Sequence, residues 1–319
     1  MTMTPRHLVA SVVAGFAGTA AAQPIVFSTN DADLLMGAAT RSVSAGPEIE
    51  TADDFSLANH TRITGATIIG LIPTDATPTD VQEVEVRIYR LFPRDSNATR
   101  PIQVPTRANS PADGSFAFRQ SGDPQAPLSF SVVPLTTAVT ALNSVVDGIH
   151  PSPNQQTLGE GPVTGNEVQI HIQFTLPIDL LAGHYFFAPE VALRSGNFLW
   201  LSAPKPIVSP GTPFATDLQA WIRNDNISPD WLRIGGDIVG GSPAPAFNMV
   251  LQLEGIVGCD ANCDGSTTAP VLNANDFQCF LNAFASGNPT ANCDGSTQPP
   301  ILNANDFQCF LNAFAAGCS

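Results

Sequence analysis

The chain has 319 residues, and its 28 acidic residues outnumber its 13 basic ones, which gives a formal net charge of -15. Lys205 is the only lysine. Such a chain offers no basic patch that would neutralise phosphates. The composition therefore excludes nucleic acids and anionic membrane surfaces from the expected partners.

The first 22 residues have the pattern of a secretory signal peptide. Arg6 and His7 form a short basic start, residues 8–20 are apolar, and residues 20–22 are the small residues that precede a cleavage site. The mature chain is predicted to begin at Gln23. The apolar stretch is shorter than the about 20 residues that span a bilayer, so an uncleaved anchor is disfavoured. We expect a secreted protein, extracellular or at the cell surface, with no membrane span after cleavage.

Residues 23–257, here called the body, alternate short β-like runs with loops rich in Pro, Gly, Ser, Asn and Asp. Between residues 167 and 176 apolar and polar side chains alternate, which is the period of a half-buried strand. The pattern of residues 136–146 also fits a helix. The body is predicted to be one domain, a jelly-roll-like antiparallel β-sandwich. Its predicted strands are residues 62–72, 81–92, 115–119, 128–133, 167–176, 183–193, 197–202, 219–224 and 246–257.

One strand of the body carries candidate catalytic carboxylates. Glu83, Glu85, Arg87 and Tyr89 share the polar face of the strand at residues 81–92. Paired carboxylates hydrolyse glycosidic bonds when they lie about 5 to 10 Å apart. An adjacent arginine keeps both carboxylates ionised, however, and no complete catalytic set is present. We interpret the four residues as a solvated charged face.

The tripeptide QIH at residues 169–171 resembles one element of the jelly-roll alginate lyases. In that family a glutamine and a histidine neutralise a uronate carboxylate and take a proton. The family's Arg-x-Glu-x-Arg and Tyr-x-Lys-Ala-Gly strands are absent here, so His171 is interpreted as an ordinary outward-facing residue. Seven aromatic residues are interpreted as core, with stacking on sugar rings as the alternative: Tyr185, Phe186, Phe187, Phe198, Trp200, Trp221 and Trp231.

A unit of 27 residues occurs twice near the end of the chain. Residues 261–287 and 291–317 differ at four positions. Each copy carries apolar side chains at i, i+3, i+4 and i+7, which indicates a helix with one apolar stripe. Neither copy can bury its stripe alone, so the two stripes are predicted to pack face to face. Their members are Phe277, Phe280, Leu281 and Phe284 in the first copy, and Phe307, Phe310, Leu311 and Phe314 in the second.

The repeated unit, NCDGS followed by LNANDFQCFLNAFA, resembles the GC-type dockerin domain, a bacterial relative of cellulosomal dockerins. Dockerins combine two calcium loops, each followed by a helix, and bind a cohesin domain. The resemblance implies that residues 258–319, here called the tail, form such a domain and bind a cohesin-like or cell-envelope protein. The implied calcium ligands are Asp260, Asn262, Asp264, the Ser266 carbonyl and Asp276 in the first copy, and Asn292, Asp294, the Ser296 carbonyl and Asp306 in the second.

Two features depart from the ordinary dockerin loop. Thr290 stands in the second copy where the first has Asp260, which removes a charged ligand. Seven residues, 266–272, separate the loop glycine from Asn273, where an ordinary dockerin loop has two. Calcium affinity depends on the number of carboxylates and on loop closure, so both departures weaken the implied sites.

All six cysteines lie in the tail, and behind a secretion signal they favour a disulfide framework. Cys259 and Cys318 flank the two copies and are predicted to pair. The other four pair either between copies or within them. The within-copy pairing is favoured because Cys279 points away from the apolar stripe; it joins Cys263 to Cys279 and Cys293 to Cys309.

Two functions follow from these features. The first is a secreted, surface-associated, non-catalytic binding or structural protein whose tail docks onto its partner, with calcium as the cofactor and polysaccharide as an expected ligand of the body. The alternative is a polysaccharide-degrading lyase or glycoside hydrolase anchored by the same tail. The alternative requires that Glu83, Glu85, Arg87 and His171 line one open face.

Overall fold

A computed structural model describes residues 24–29, 31–104, 106–152, 156–205, 219–258, 261–266, 269–294, 296 and 299–317. The predicted signal peptide lies outside these residues. So do three residues of the predicted tail sites, Cys259, Asp260 and Cys318.

The regular secondary structure of the described body is mostly strand, and it covers about half of these residues. The strands are β1 (Ile25–Ser28), β2 (Gly37–Thr40), β3 (Ile49–Leu57), β4 (Thr61–Ile72), β5 (Val81–Leu91), β6 (Pro111–Ser121), β7 (Pro127–Pro134), β8 (Val139–Ala141), β9 (Ser144–Val145), β10 (Val163–Leu180), β11 (Gly183–Leu193), β12 (Phe198–Ala203), β13 (Trp221–Asn224), β14 (Leu232–Arg233), β15 (Asn248–Met249) and β16 (Leu251–Val257). A π-helical segment, Ile234–Val239, follows β14. The tail contains the helices α1 (Ala274–Ala285) and α2 (Ala304–Ala316).

The strands are hydrogen-bonded in the order β14-β13-β3-β11-β5-β6-β7-β10-β4-β12-β2-β9. Off this path, β16 pairs with β1 and β4, β8 pairs with β10, and β15 pairs with β12. The β2–β9 and β6–β7 pairs are parallel and the other described pairs are antiparallel. The predicted fold class is confirmed: an all-β chain with a β-sandwich-like sheet and a small α-helical, disulfide-bonded C-terminal region.

One apolar core lies between strands from distant parts of this path. Val84 and Val86 of β5 belong to the same buried cluster as Ile170 and Ile172 of β10. Because side chains alternate along a strand, the residues between them point away from the core on both strands. Glu85 on β5 and His171 on β10 therefore both point away from this core, Glu85 being buried and His171 exposed.

The predicted strands are confirmed, although the last is divided at Val250. The seven aromatic residues interpreted as core are all buried. The helical interpretation of residues 136–146 is wrong, because Val139–Ala141 pairs with β10 and Ser144–Val145 pairs with β2. Ala138 also has a φ of 55°, which is incompatible with a right-handed helix. No helix in the described parts of the chain is long and apolar enough to cross a membrane.

Candidate functional site

The two helices of the tail begin with the same capping arrangement. The Asn273 side chain accepts a hydrogen bond from the backbone N–H of Asn275 at 2.8 Å, and Asp276 Oδ2 accepts one from the N–H of Asn273 at 2.8 Å. Such a reciprocal cap satisfies N–H groups that a helix leaves unpaired at its start. Asn303 and Asp306 make the equivalent bonds in the second copy. The repeated sequence therefore fixes two equivalent helix starts.

The helices pack through their phenylalanines. The rings of Phe280 and Phe310, 3% and 0% exposed, are stacked with centroids 4.2 Å apart. Phe277 and Phe307 pack around this pair at 5.8 to 6.0 Å. This confirms that the two apolar stripes cover each other.

The predicted stripes are wrong at one position in each copy. Leu281 and Leu311 are not part of the buried cluster, and Leu311 is 37% exposed. Ala291 and Leu302, which precede α2, pack against the phenylalanines instead. A helical wheel omits them because it contains only residues of the helix itself. Leu311 is therefore left at the surface of the tail, and Leu281 is half-buried outside its core.

A disulfide in each copy ties the loop to its helix. Cys263 is bonded to Cys279 and Cys293 to Cys309, with Cα–Cα distances of 5.7 and 5.8 Å. Of the two pairings left open by the sequence, the structure has the within-copy one. Disulfides of this kind typically stabilise small domains by about 2 to 4 kcal/mol each. They also indicate an oxidising environment.

The loop of the first copy has an unsatisfied buried oxygen. Asn262 Oδ1 has no hydrogen-bond partner among the described residues, while its amide nitrogen donates to the Ser266 carbonyl at 2.9 Å. Asp264 Oδ1 accepts from the Ser266 N–H at 2.9 Å, which lowers the pKa of the Asp264 carboxyl. Asp276 Oδ1 accepts from the Asp264 N–H at 3.2 Å. The orphaned oxygen and the two carboxylates are the hard ligands that calcium takes, so this loop fits the ion.

The loop of the second copy fits calcium less well. Asn292 Oδ1 accepts a long hydrogen bond of 3.5 Å from the Ser296 hydroxyl, so it is not orphaned. Asp294 and Asp306 repeat the contacts of the first copy. No group of three His, Cys, Asp or Glu side chains with metal-site geometry occurs among the described residues, which do not include Asp260. The implied ligand set of the second copy stays a prediction.

The outer face of the β3–β11–β5 sheet holds a buried ionic network. Arg223 Nε donates to Glu50 Oε1 at 2.7 Å, and its Nη2 donates to the Tyr89 hydroxyl at 2.8 Å. The Tyr89 hydroxyl in turn donates to Glu50 Oε2. The Arg223 guanidinium lies 4.2 Å from the centre of the Trp231 ring. Each of these side chains is at least nine-tenths buried.

Glu190 is the least satisfied member of this network. It lies directly across from Glu85 on β5, and its side chain is fully buried. Arg87 Nε is 2.9 Å from Glu190 Oε1, but the alignment makes no hydrogen bond, so neither carboxylate oxygen has a described hydrogen-bond partner. Burial raises the pKa of Glu190 to about 10, with Glu50 acting in the same direction and Arg87 opposing. Burial also raises the pKa of Glu85.

The solvated-face interpretation of residues 83–89 is therefore wrong. Glu85 and Tyr89 are buried, and Arg87 and Arg223 supply the cations that take the place of the water around exposed groups. Glu83 accepts hydrogen bonds from the hydroxyls of Ser42 and Ser44 at 2.8 and 2.9 Å. We interpret the network as structural, since substrate cannot reach groups that are this deeply buried.

His171 lies elsewhere, in a cleft on the outer face of β10. Its Nδ1 is 3.1 Å from the Thr67 hydroxyl. β6 and β7 separate β5 from β10 in the strand order, and the two polar faces point away from a shared core. Glu83, Glu85, Arg87 and His171 therefore do not form one site.

Comparison with protein-family models, with curated proteins and with solved structures finds no match to the chain.

Proposed function

We propose that the tail is a dockerin-like docking domain and that the body is the cargo it places on a protein partner. The observation that carries the proposal is that the phenylalanines of the two copies pack against each other and leave the corresponding surface of each helix outside this core, half-buried at Leu281 and exposed at Leu311. Leu281 and Leu311 lie on these surfaces, outside the tail's own core. Two matching surfaces on a small, disulfide-braced unit favour docking onto a protein of cohesin-like or envelope type.

The cellular location follows from two independent features. The disulfides favour an oxidising compartment, and the first 22 residues have the signal-peptide pattern. Together they support a protein that is secreted and retained at the cell surface. A binding or structural role of the body is favoured over catalysis, because the candidate catalytic residues lie apart.

Changing the two leucines that lie outside the tail's core to acids should weaken docking. In the Leu281→Glu, Leu311→Glu variant, two charges would have to be desolvated in the interface, and we expect binding to fall at least tenfold, since about 1.4 kcal/mol corresponds to a factor of ten. Binding of the labelled full chain to the envelope fraction of the producing cells measures the effect. The thermal midpoint of the variant should equal that of wild type.

The chain provides a matched control for this experiment. Ser286→Glu with Ala316→Glu adds the same charges at exposed helix ends where the two copies already differ. This control should bind like wild type. Undiminished binding by the leucine variant would contradict the proposal, as would failure of wild type to bind any envelope component.

We further propose that the first loop of the tail binds calcium. Asn262, Asp264 and Asp276 would hold the ion, with Asp260 as the predicted fourth side chain. The ion would supply a positive charge that joins the loop to the start of α1. This proposal is supported by the orphaned Asn262 oxygen and is independent of the identity of the docking partner.

Calcium should raise the thermal midpoint of the tail, and Asp264→Asn should remove this effect. A ligand at a hundredfold excess over its Kd stabilises a fold by about 2.7 kcal/mol, which corresponds to a rise of several degrees. Thermal unfolding of the full chain in calcium and in chelator measures the shift. Asp294→Asn is the matched control and should keep most of the calcium effect. Equal midpoints of wild type in calcium and in chelator would argue against a bound ion.

A further inference from the structure

The cleft beside His171 is built from polar residues of four neighbouring strands, β7, β10, β4 and β16. Register places Ser131, His171, Thr67 and Gln252 in one cross-strand row, and Ser129, Gln173, Gly65 and Glu254 in the next. The cleft has a volume of about 330 Å³, at the lower end of the range for ligand sites. Its polar lining residues are Thr67, Ser129, Ser131, His171, Gln173 and Glu254.

Gly65 lies in the second row, where β10 approaches β4 closely. A Cβ at this position would lie 2.9 Å from the Ile172 carbonyl oxygen and 3.3 Å from Glu254 Oε2. Its distance from Gln173 Oε1 would be 3.8 Å. Glycine is therefore favoured here by the close approach of β10, and the position lies between the glutamine and the glutamate. The ends of both side chains lie beside this position.

The groups that line the cleft have unused hydrogen-bonding capacity. The Ser129 and Ser131 hydroxyls and the Glu254 carboxylate have no partner in the described parts of the chain. His171 contacts the Thr67 hydroxyl through Nδ1, and its Nε2 is available to a ligand. Gln173 donates its amide to the Thr64 carbonyl at 2.7 Å, which fixes the side chain and leaves its oxygen available. The cleft thus presents free donors and acceptors, of which His171 and Gln173 are held in place by hydrogen bonds.

We propose that this cleft binds a neutral, hydroxyl-rich ligand, namely a carbohydrate chain without acid groups. Hydroxyls both donate and accept, so they satisfy serine, imidazole and carboxylate partners together. None of the described lining residues is Arg or Lys, and Glu254 repels a carboxylate, so an acidic sugar is disfavoured. Four adjacent strands span on the order of 14 Å, which suits several linked sugar rings. The site is independent of the tail.

Titration of the full chain with neutral hexasaccharides tests the proposal. Cellohexaose, xylohexaose, mannohexaose and laminarihexaose are the probes, hexagalacturonate is the acidic comparison, and calorimetry gives the Kd. We expect at least one neutral sugar to bind and hexagalacturonate not to bind. His171→Ala should weaken binding about tenfold, the usual loss for a ligand hydrogen bond of about 1.4 kcal/mol.

Two further variants keep the test decisive. Ser131→Tyr fills the cleft from an exposed position and should also weaken binding, without removing any described bond. Gln169→Ala lies on the same face of β10 but does not line the cleft, so it should bind like wild type. Failure of all four neutral sugars, tighter binding of hexagalacturonate, or unchanged affinity in both cleft variants would overturn the assignment. The Leu281→Glu, Leu311→Glu variant should bind sugar normally, which separates this site from docking.

Discussion

The Arg223→Met variant should lose about 3 to 5 kcal/mol of the free energy of unfolding of the body, the usual cost of breaking a buried ion pair. Arg223 is the cation that Glu50 and the Tyr89 hydroxyl share. Methionine fills part of the volume but leaves the Glu50 charge buried beside Tyr89 with no cation in contact. Urea unfolding followed by tryptophan fluorescence is suitable, because Trp221 and Trp231 lie in the same region.

An exposed ion pair provides the control for the Arg223 experiment. Arg62 is 4.0 Å from Asp179, and its side chain is 55% exposed. Arg62→Met should cost less than about 1 kcal/mol, as surface pairs do. Adding Glu50→Gln to Arg223→Met should recover part of the lost stability, since no buried charge is then left alone. If the two arginine variants lose the same stability, the network does not hold these strands together.

Removing one aromatic ring from the tail should lower the free energy of unfolding of the tail by a comparable amount. Phe310→Ala deletes a fully buried ring stacked on Phe280, and such truncations cost about 3 to 5 kcal/mol. This is a large fraction of the stability available to so small a unit. We expect the amide hydrogens of α1 and α2 to exchange much faster with solvent while those of the body are unchanged. Hydrogen exchange with mass spectrometry of the full chain resolves the two regions.

The neighbouring residue in the sequence is the matched control. Leu311 is of similar apolar character but 37% exposed, and it lies outside the buried cluster. Leu311→Ala should therefore cost less than about 1 kcal/mol and leave the exchange of α1 unchanged. Equal effects of Phe310→Ala and Leu311→Ala would mean that the stacked rings do not form the interface between the copies.

Strands with clear alternation were predictable from the sequence, whereas a strand rich in acids was not. Apolar residues occupy every second position of β10. A shift of one residue in its pairing register would therefore turn the apolar face to solvent. β3 has Glu50, Asp53 and Asp54 within a fully buried strand, which reads as a loop when taken alone. Its charges are tolerated because Arg223, His184 and the Met249 N–H reach it from other strands.

The candidate sites, like the strands, were predictable only in part. The packing of α1 against α2 was predictable, because two identical apolar stripes can cover each other. The ionic network was not, since Glu190 lies more than one hundred residues from Glu85 and Arg87 and only strand register brings them together. The cleft beside His171 was also missed. Its polar residues come from separate strands, and only strand register brings them together.

The buried Glu190 couples folding of the body to proton uptake. The folded state keeps the proton up to a pKa of about 10, whereas the unfolded chain releases it near its ordinary value of 4.5. Between these values the unfolded state binds fewer protons, so this group's contribution to stability falls as the pH rises, by at most about 1.4 kcal/mol per pH unit. The pKa values of Asp264 and Asp294 are lowered, so these groups act in the opposite direction. Acidification removes their contribution to the stability of the tail. Acidification therefore stabilises the body through Glu190, while it removes the contributions of Asp80 and Asp113 in the body and of the two aspartates in the tail.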